Sequence, residues 1–374
     1  MYNVVDFLHA TRHTLPPLTM RILLSGGGTL GPVTPLLALA EHLKEDNDFL
    51  WIGTVDGPER ALVEAAGIRF ASVPAGKIRR YADVRNVTDP FKNVAGTAAA
   101  LSLIGEFKPN VHVTAGGFVS VPVAAAGKLR GVPLIVHQQD IEPIRSNLVM
   151  ARVAAAVTAS CDGAAEGFAR FKPDVVGNPV RKFLRDAAAR PALSATPPTV
   201  LVLGGGTGAL GLNRRITAAL DRLTEFCQIV HVTGGKTDGV GVGLAPTQTG
   251  DRYRVITFMR NELADAYRSA DLVISRAGFG TLSELAVFKK PTLLVPLPDS
   301  PQEKNARYVV GRNAAELLAE RACTVQLLTR IVRRLLDDAD QRKMLGTNLC
   351  ATLGDGDPEP LAKVVRRVAK STKK

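Results

Sequence analysis

Short apolar runs along this chain alternate with longer stretches rich in Ala and Leu. The runs at 21–25, 49–54, 70–73, 111–114, 134–137 and 155–159 read as buried strands, with helical patterns between most of them. Such alternation predicts a parallel sheet covered by helices on both faces. The segment RDAAARPALSATPPT (185–199), rich in Ala and Pro, then breaks the rhythm and reads as a linker. After it the pattern restarts, with strand-like runs at 200–203, 228–233, 254–257, 271–275 and 292–296. The expected fold class is α/β, with two Rossmann-like domains facing each other across a cleft. Their expected bounds are 20–184 and 200–357, with 358–374 forming a C-terminal helix and basic tail. Residues 1–19 precede the first strand and read as a disordered extension.

Each half opens on the same device: an apolar run, a glycine-rich turn and a helical run. The first turn is GGGTLGPVTP (26–35) and the second GGGTGALGLN (204–213). In open parallel sheets ligands bind at the carboxyl ends of the strands, so both turns are expected at the cleft. Gly26, Gly28 and Gly31 match the dinucleotide fingerprint, yet tight strand–helix turns favour glycine anyway. An NAD enzyme would also carry an acid at the end of its second strand. Here that strand ends Trp51-Ile52-Gly53-Thr54, and Asp56 comes too late; the second half has no acid there at all. A dehydrogenase is therefore excluded.

A sugar nucleotide fits the pattern better. Its diphosphate needs backbone N–H groups at a helix N-terminus, and its ribose diol needs a carboxylate. RAGFGTLSELA (276–286) offers both, with Glu284 in the helix that it opens. Thr281-Leu282-Ser283-Glu284 equally reads as a capping box, and the local sequence leaves the two open.

Composition narrows the partners. The chain has 374 residues, 46% hydrophobic and 22% charged, enough for two cored domains. No apolar stretch is long enough to span a membrane, and the opening lacks the marks of a secretory signal. The four cysteines show neither CxxC pairing nor metal spacing, so a reducing cytoplasm is expected and a metal is not. Net charge is +12, and the tail KVVRRVAKSTKK is strongly basic, which suits an anionic partner. With 5% aromatic residues and no basic–aromatic alternation, nucleic acid is not that partner. Residues 77–107 set Lys77, Arg79, Arg80, Arg85 and Lys92 before a weakly amphipathic stretch with Val94, Leu101 and Ile104. That stretch reads either as a surface lying on anionic lipid or as a buried helix with solvated flanks.

The segments TAGGFVSVPVAAAGKLRGVPLIVHQQD (114–140), VGNPVR (176–181), VLGGGTGALGLN (202–213), RAGFGTLSELA and PQEKNA (301–306) occur in this order at plausible spacing. Together they resemble the lipid-intermediate N-acetylglucosaminyltransferases of peptidoglycan synthesis, in glycosyltransferase family 28. The resemblance spans nearly everything from Met20 to the last helix. It implies the two-domain GT-B fold. It also implies inverting transfer of N-acetylglucosamine from UDP-N-acetylglucosamine to an undecaprenyl-pyrophosphoryl-N-acetylmuramoyl-pentapeptide, at the cytoplasmic face of the membrane and without a cofactor.

Carried over residue by residue, the resemblance puts Met259 where a backbone N–H and C=O read the uracil edge. Glu284 takes the ribose diol and Gln302 the sugar hydroxyls. Phe279, Gly280, Thr281, Leu282 and Ser283 form the loop beside the diphosphate, and Arg181 faces the leaving phosphates. The alternative for Arg181 is a salt bridge at the domain boundary. Thr29, Leu30 and Gly31 join the donor site; Gly116, Gly117, Phe118 and His137 lie on the acceptor side. Gly206 replaces a customary serine, whose hydrogen bond falls to Thr207.

Two departures from the family pattern concern chemistry. The family loop GGTGGHxxP is here Gly27-Gly28-Thr29-Leu30-Gly31-Pro32-Val33-Thr34-Pro35, so Leu30 replaces a glycine and Pro32 a histidine suspected as the base. Proline accepts no proton and donates no N–H. The family's His-Glu-Gln-Asn is His137-Gln138-Gln139-Asp140. Asp140 is thus a candidate base or a plain isosteric swap, and His137 reads as a structural histidine. These departures keep two other functions open: transfer to a different lipid or saccharide acceptor, and sugar-nucleotide binding without catalysis.

Overall fold

Alternate residues of the first strand point into two different cores. Ile22 and Leu24 belong to one and Leu23 to the other, and the neighbouring strand repeats this with Phe49 and Trp51 against Leu50 and Ile52. That is the period-two signature of a strand buried on both faces. The structure is a computed structural model that describes residues 20–76, 85–193, 195–204, 209–234, 251–259 and 262–371, of which 85–88 are described by their backbone alone. The expectations for 1–19, Lys77, Arg79, Arg80, Gly206 and Thr207 therefore lie outside the described residues.

The first sheet contains β1 (Met20–Ser25), β2 (Asn47–Gly53), β3 (Arg69–Ser72), β4 (Val111–Thr114), β5 (Leu134–Gln138), β6 (Ala156–Ala159) and β7 (Asp174–Val175). Its helices are α1 (Thr34–Leu43), α2 (Glu59–Ala65), α3 (Arg85–Phe107), α4 (Ser120–Leu129), α5 (Arg145–Ala151) and α6 (Asp162–Glu166). The second sheet contains β8 (Thr199–Leu203), β9 (Gln228–Val232), β10 (Tyr253–Ile256), β11 (Leu272–Ser275), β12 (Thr292–Leu294) and β13 (Glu316–Leu317). With it come α7 (Lys182–Ala188), α8 (Leu210–Leu223), α9 (Glu262–Ser269), α10 (Phe279–Val287), α11 (Gln302–Val310), α12 (Val325–Asp337), α13 (Ala339–Leu353) and α14 (Glu359–Ser371).

Strand order is β3-β2-β1-β4-β5-β6-β7 in one sheet and β10-β9-β8-β11-β12-β13 in the other, with every pairing parallel. The order reverses between β1 and β4, and again between β8 and β11. A crevice opens at each reversal, above the carboxyl ends of those strands. The loops after β1, β4, β8 and β11 are the four motif loops of the sequence.

All the expected strands form, within a residue or two at their ends. β7 and β13 were not expected: two residues at a sheet edge carry no periodicity to read. The domain bounds shift as well. Helix α7 begins inside the expected first domain, yet Val180, Leu184 and Ala187 pack into the core of the second. Helix α14 crosses back: Leu361, Ala362, Val364, Val365 and Val368 join α1 in covering one face of the first sheet. Helices α3 and α4 cover the opposite face through Ala100, Ile104, Phe107, Val119 and Val123. Amphipathic helices dock on whichever apolar face is left open, and a sequence pattern does not say which sheet supplies it. The core of the second domain also takes in Ala159, Cys161 and Ala164 of the first, so apolar packing runs across the domain boundary.

Candidate active site between the two domains

The glycine loop after β1 is held from beneath by a carboxylate of its own domain. Glu59, fully buried at the start of α2, accepts the Gly28 N–H (3.1 Å), the Thr54 N–H (2.7 Å) and the Thr54 hydroxyl. A methyl group on Gly27 would lie 2.1 Å from Glu59 Oε1, so only glycine allows the approach. The loop after β4 locks against it. Gly117, at φ +99°, lies so close to Gly27 that a methyl there would come 2.9 Å from its carbonyl oxygen; Phe118 closes over Gly28 in the same way. Gly116, Gly117 and Phe118 thus build the wall of the first loop. Glu59 was missed from the sequence, where a single acid in a turn gives no signal.

The loop's tip explains Leu30 and Pro32. Thr29 and Gly31 are exposed and Leu30 half-buried. The Leu30 carbonyl accepts the Val33 N–H at 3.1 Å, closing the turn that leads into α1. Pro32 is buried against Gly26 just before the helix, where a backbone N–H would have no intrahelical partner, so the missing donor costs little.

Two helix N-termini meet at the cleft. Helix α1 starts at Thr34 and α10 at Phe279, neither with a side-chain cap. A methyl on Gly280 would lie 3.1 Å from Thr34 Oγ1, so the first turns of the two helices touch across the boundary. Both helix dipoles make this region positive, and α10 adds the unbonded N–H groups of its first turn; in α1 the Thr34 N–H is bonded to the Leu30 carbonyl and Pro35 has none. The capping-box reading of Thr281 and Glu284 falls away, because the N-cap is Gly278 and both residues lie inside the helix. Residues 279–283 are accordingly the opening turns of α10 and not a loop. Phe279 and Leu282 point into the core, and the Ser283 hydroxyl bonds the Phe279 carbonyl at 2.8 Å. Gly280 and Thr281 remain half-exposed.

Glu284 sits further along α10 in a buried cluster. Arg181 reaches it from the first domain's exit at 3.6 Å, and the Tyr267 hydroxyl donates to it at 2.8 Å. Burial pushes the Glu284 carboxyl up, opposed by Arg181 and Tyr267. The guanidinium of Arg181 also stacks on the Phe183 ring at 4.8 Å, while its buried Nε has no partner. The boundary salt bridge weighed for Arg181 therefore exists, and its partner is the acid expected to take the ribose. Met259 is buried in the core of the second domain. Gln302 opens α11, and its side-chain carbonyl accepts the Leu297 N–H at 3.0 Å.

Asp140 follows β5 and is met by the second domain. Asn305 Nδ2 donates to its Oδ1 at 2.8 Å. Burial raises its pKa, with the Asn305 bond opposing and the Glu142 charge adding to the rise. His137 is fully buried between Thr158 (3.0 Å) and Asn178 (3.2 Å), and Asn178 Nδ2 in turn donates to Ser283 Oγ at 3.0 Å. Both ring nitrogens of His137 are thus engaged within the scaffold. Among the described residues no group of three or more His, Cys, Asp and Glu side chains is placed to hold a metal ion.

Two parallel α/β domains with helix N-termini turned to a shared crevice are the GT-B architecture. The chain belongs to glycosyltransferase family 28: the N-terminal domain model of that family matches residues 22–159 and the C-terminal domain model residues 199–353. It is 35% identical, over 84% of its own length and 91% of the relative's, to UDP-N-acetylglucosamine–N-acetylmuramyl-(pentapeptide) pyrophosphoryl-undecaprenol N-acetylglucosamine transferase 3 of Bacillus thuringiensis (strain Al Hakam). The transferase of the same name from Lachnoclostridium phytofermentans is 34% identical, over 85% of this chain and 91% of the relative. Among solved structures, Acinetobacter baumannii MurG superposes with a TM-score of 0.70 at 25% identity, covering 93% of this chain and 99% of that one.

The state of His137 sets a pH dependence. Burial holds its pKa down at about 4, below the ordinary 6.5. For a histidine depressed in the fold, the stabilisation is complete above the unfolded value and is lost as pH falls from about 6.5 toward 4. His137→Gln should flatten the stability–pH curve in that window by up to one proton, measured by denaturant unfolding. Turnover in the variant should keep its acid limb; loss of that limb would make His137 the base.

Proposed function

We propose that this chain moves N-acetylglucosamine from UDP-N-acetylglucosamine onto a lipid-linked acceptor, undecaprenyl-pyrophosphoryl-N-acetylmuramoyl-pentapeptide, with inversion at the sugar. The observation that carries the reading is the match, over 91% of their length, to relatives named for that transfer. The donor site consists of Met259 beside the base, Glu284 at the ribose, and Gln302 with Gly280 and Thr281 at the sugar and diphosphate. Donor binding exchanges the Arg181–Glu284 pair for two new ones: ribose hydroxyls on Glu284 and phosphate on Arg181, whose guanidinium suits it. The departing charge is met by Arg181 and the N-termini of α1 and α10.

Asp140 is the base. An inverting transfer needs a proton acceptor near the incoming hydroxyl, and Pro32 provides none. Burial shifts the Asp140 carboxyl toward the range in which a carboxylate accepts protons well. The enzyme works at the cytoplasmic membrane surface, held there by α3. Phe91 and Val94 stand 74% and 71% exposed on that helix, directly after the basic segment 77–85. Ile104, expected in the same apolar stripe, is instead core. Among the described residues no helix is long and apolar enough to cross a membrane.

Turnover of UDP-N-acetylglucosamine with a polyprenyl-pyrophosphate acceptor tests the whole reading. Donor binding without turnover on any acceptor would make the chain a binding protein. Glu284→Ala should weaken UDP-N-acetylglucosamine by about 1–3 kcal/mol, the cost of leaving buried hydroxyls unpaired, measured by calorimetric titration. Unchanged affinity would remove Glu284 from the donor site.

Asp140→Asn restores the family's usual residue and should nevertheless slow turnover about 10²–10⁴-fold, the usual worth of a general base. Donor affinity should hardly move. Full activity in this variant would leave the base elsewhere.

Phe91→Ser with Val94→Ser should weaken binding to vesicles rich in anionic phospholipid about tenfold or more, given roughly 1.5–3 kcal/mol for each fully buried apolar side chain. Turnover on a detergent-dispersed acceptor should persist. Equal vesicle binding by wild type and variant would rule this helix out as the anchor.

A further inference from the structure

Asn305 is fully buried on α11, and every bond its side chain makes leads out of its own helix. Its Nδ2 donates to Asp140 Oδ1 at 2.8 Å and to the Ala277 carbonyl at 3.0 Å, and its Oδ1 accepts the Ile141 N–H at 2.9 Å. Both amide hydrogens are used, and flipping the amide would set its oxygen against two acceptors and its NH₂ against a donor. The side chain has one orientation. It pins three segments together: the turn after β5 in the first domain, the turn after β11 in the second, and α11 itself.

Two of these bonds would suffice to clip the domains. The third falls on a carboxylate, and it is selective. It occupies Oδ1 of Asp140, whereas Oδ2 takes no hydrogen bond from the described residues. Gln302, the proposed contact of the donor sugar, lies three residues earlier on α11, a spacing that puts both side chains on one side of the helix.

We infer that Asn305 is a positioning residue for the transfer: by holding Oδ1 of Asp140 it leaves Oδ2 as the proton acceptor and fixes that oxygen relative to the helix that reads the sugar. The inference rests on Asp140 being the base. The acceptor hydroxyl gives its proton to Oδ2 while its oxygen bonds the anomeric carbon. The bond from that carbon to the diphosphate breaks, and its electron pair leaves with UDP. A base tethered to the donor-reading helix is in register only where donor and acceptor domains meet, which couples proton removal to the assembled site.

The ionisation of Asp140 reports the contact. The Asn305 hydrogen bond favours the carboxylate, and burial and the Glu142 charge oppose it. Around Asp140, Glu142 faces Lys304 of α11 at 3.5 Å, Arg276 beside Ala277 is committed to Glu320, and His137 on β5 is neutral at working pH. Removing the amide therefore moves the titration of Asp140 upward.

Single-turnover rates across pH, with donor affinity measured in parallel, test this. Asn305→Ala should slow the chemical step about 10²-fold, as a misplaced reacting group does, with donor affinity nearly intact. Its acid limb should move to higher pH. The isosteric Asn305→Asp keeps the volume and the bond from Ile141, and its like charge should carry the limb further the same way. In an Asp140→Asn background Asn305→Ala should add little further loss, because the two act as one. An acid limb unmoved in both variants, or losses that multiply in the double variant, would overturn the inference. Full activity of Asp140→Asn alone removes the base and this inference with it; a slow Asp140→Asn beside Asn305 variants with wild-type limbs removes only the inference.

Discussion

The seam between the two sheets carries polar side chains that are joined by hydrogen bonds and an ion pair at the domain boundary. An unpaired buried polar group costs about 1–3 kcal/mol, so two domains brought together this way have few orientations to choose from. Asp140 and the Ile141 N–H are met by Asn305, His137 is linked through Asn178 to Ser283, and Glu284 is met by Arg181. Apolar packing continues over the same boundary through Ala159, Cys161 and Ala164. The chemistry is assigned to these groups because they are the ones that exist as a set only when both domains are in place. Asp140 of the first domain thus has its geometry fixed by α11 of the second.

The glycine loops follow a related logic. A strand–glycine–helix turn is usually read as a cradle for an external phosphate, and the first loop does hold an anion. That group is the Glu59 carboxylate, which takes the Gly28 N–H and so removes it from any ligand. With that N–H taken, what the loop presents to the crevice is its exposed tip, Thr29 and Gly31. This also shows why Pro32 is tolerated. It packs inward just ahead of the helix, where a backbone N–H would have no intrahelical partner, and what it takes from the loop is a side chain able to accept a proton.

Charge is divided by the sheet. The basic tail reads as a cationic surface for an anionic partner, but α14 lies against the face of the first sheet opposite α3. Several of its cations are also spoken for: Arg367 pairs with Asp174, and Arg366 with Glu359. The exposed Phe91 and Val94 of α3 therefore stand on a face separate from α14, and the net charge of +12 is not one patch.

The sequence by itself determined the strands other than the two-residue edge strands β7 and β13, their parallel arrangement, the restart into a second domain and the order of the motif loops. Each of these is written in local patterns: runs of apolar residues, glycines at tight turns, helical periodicity. It also determined which chemical groups were present and absent, above all Asp140 in place of an amide and Pro32 in place of an imidazole. The tertiary structure alone decided that α7 belongs to the second domain and α14 to the first, since an amphipathic helix does not state which sheet it will cover. It alone showed Glu59 beneath the glycine loop and Asn305 on Asp140, 165 residues apart. It closed the capping-box reading of Glu284 and gave that acid Arg181 as its partner. These are long-range pairings between single polar residues, and a lone acid or amide leaves no periodic trace. Only the folded chain brings such groups within hydrogen-bonding distance, inside one domain for Glu59 and across the boundary for Asn305.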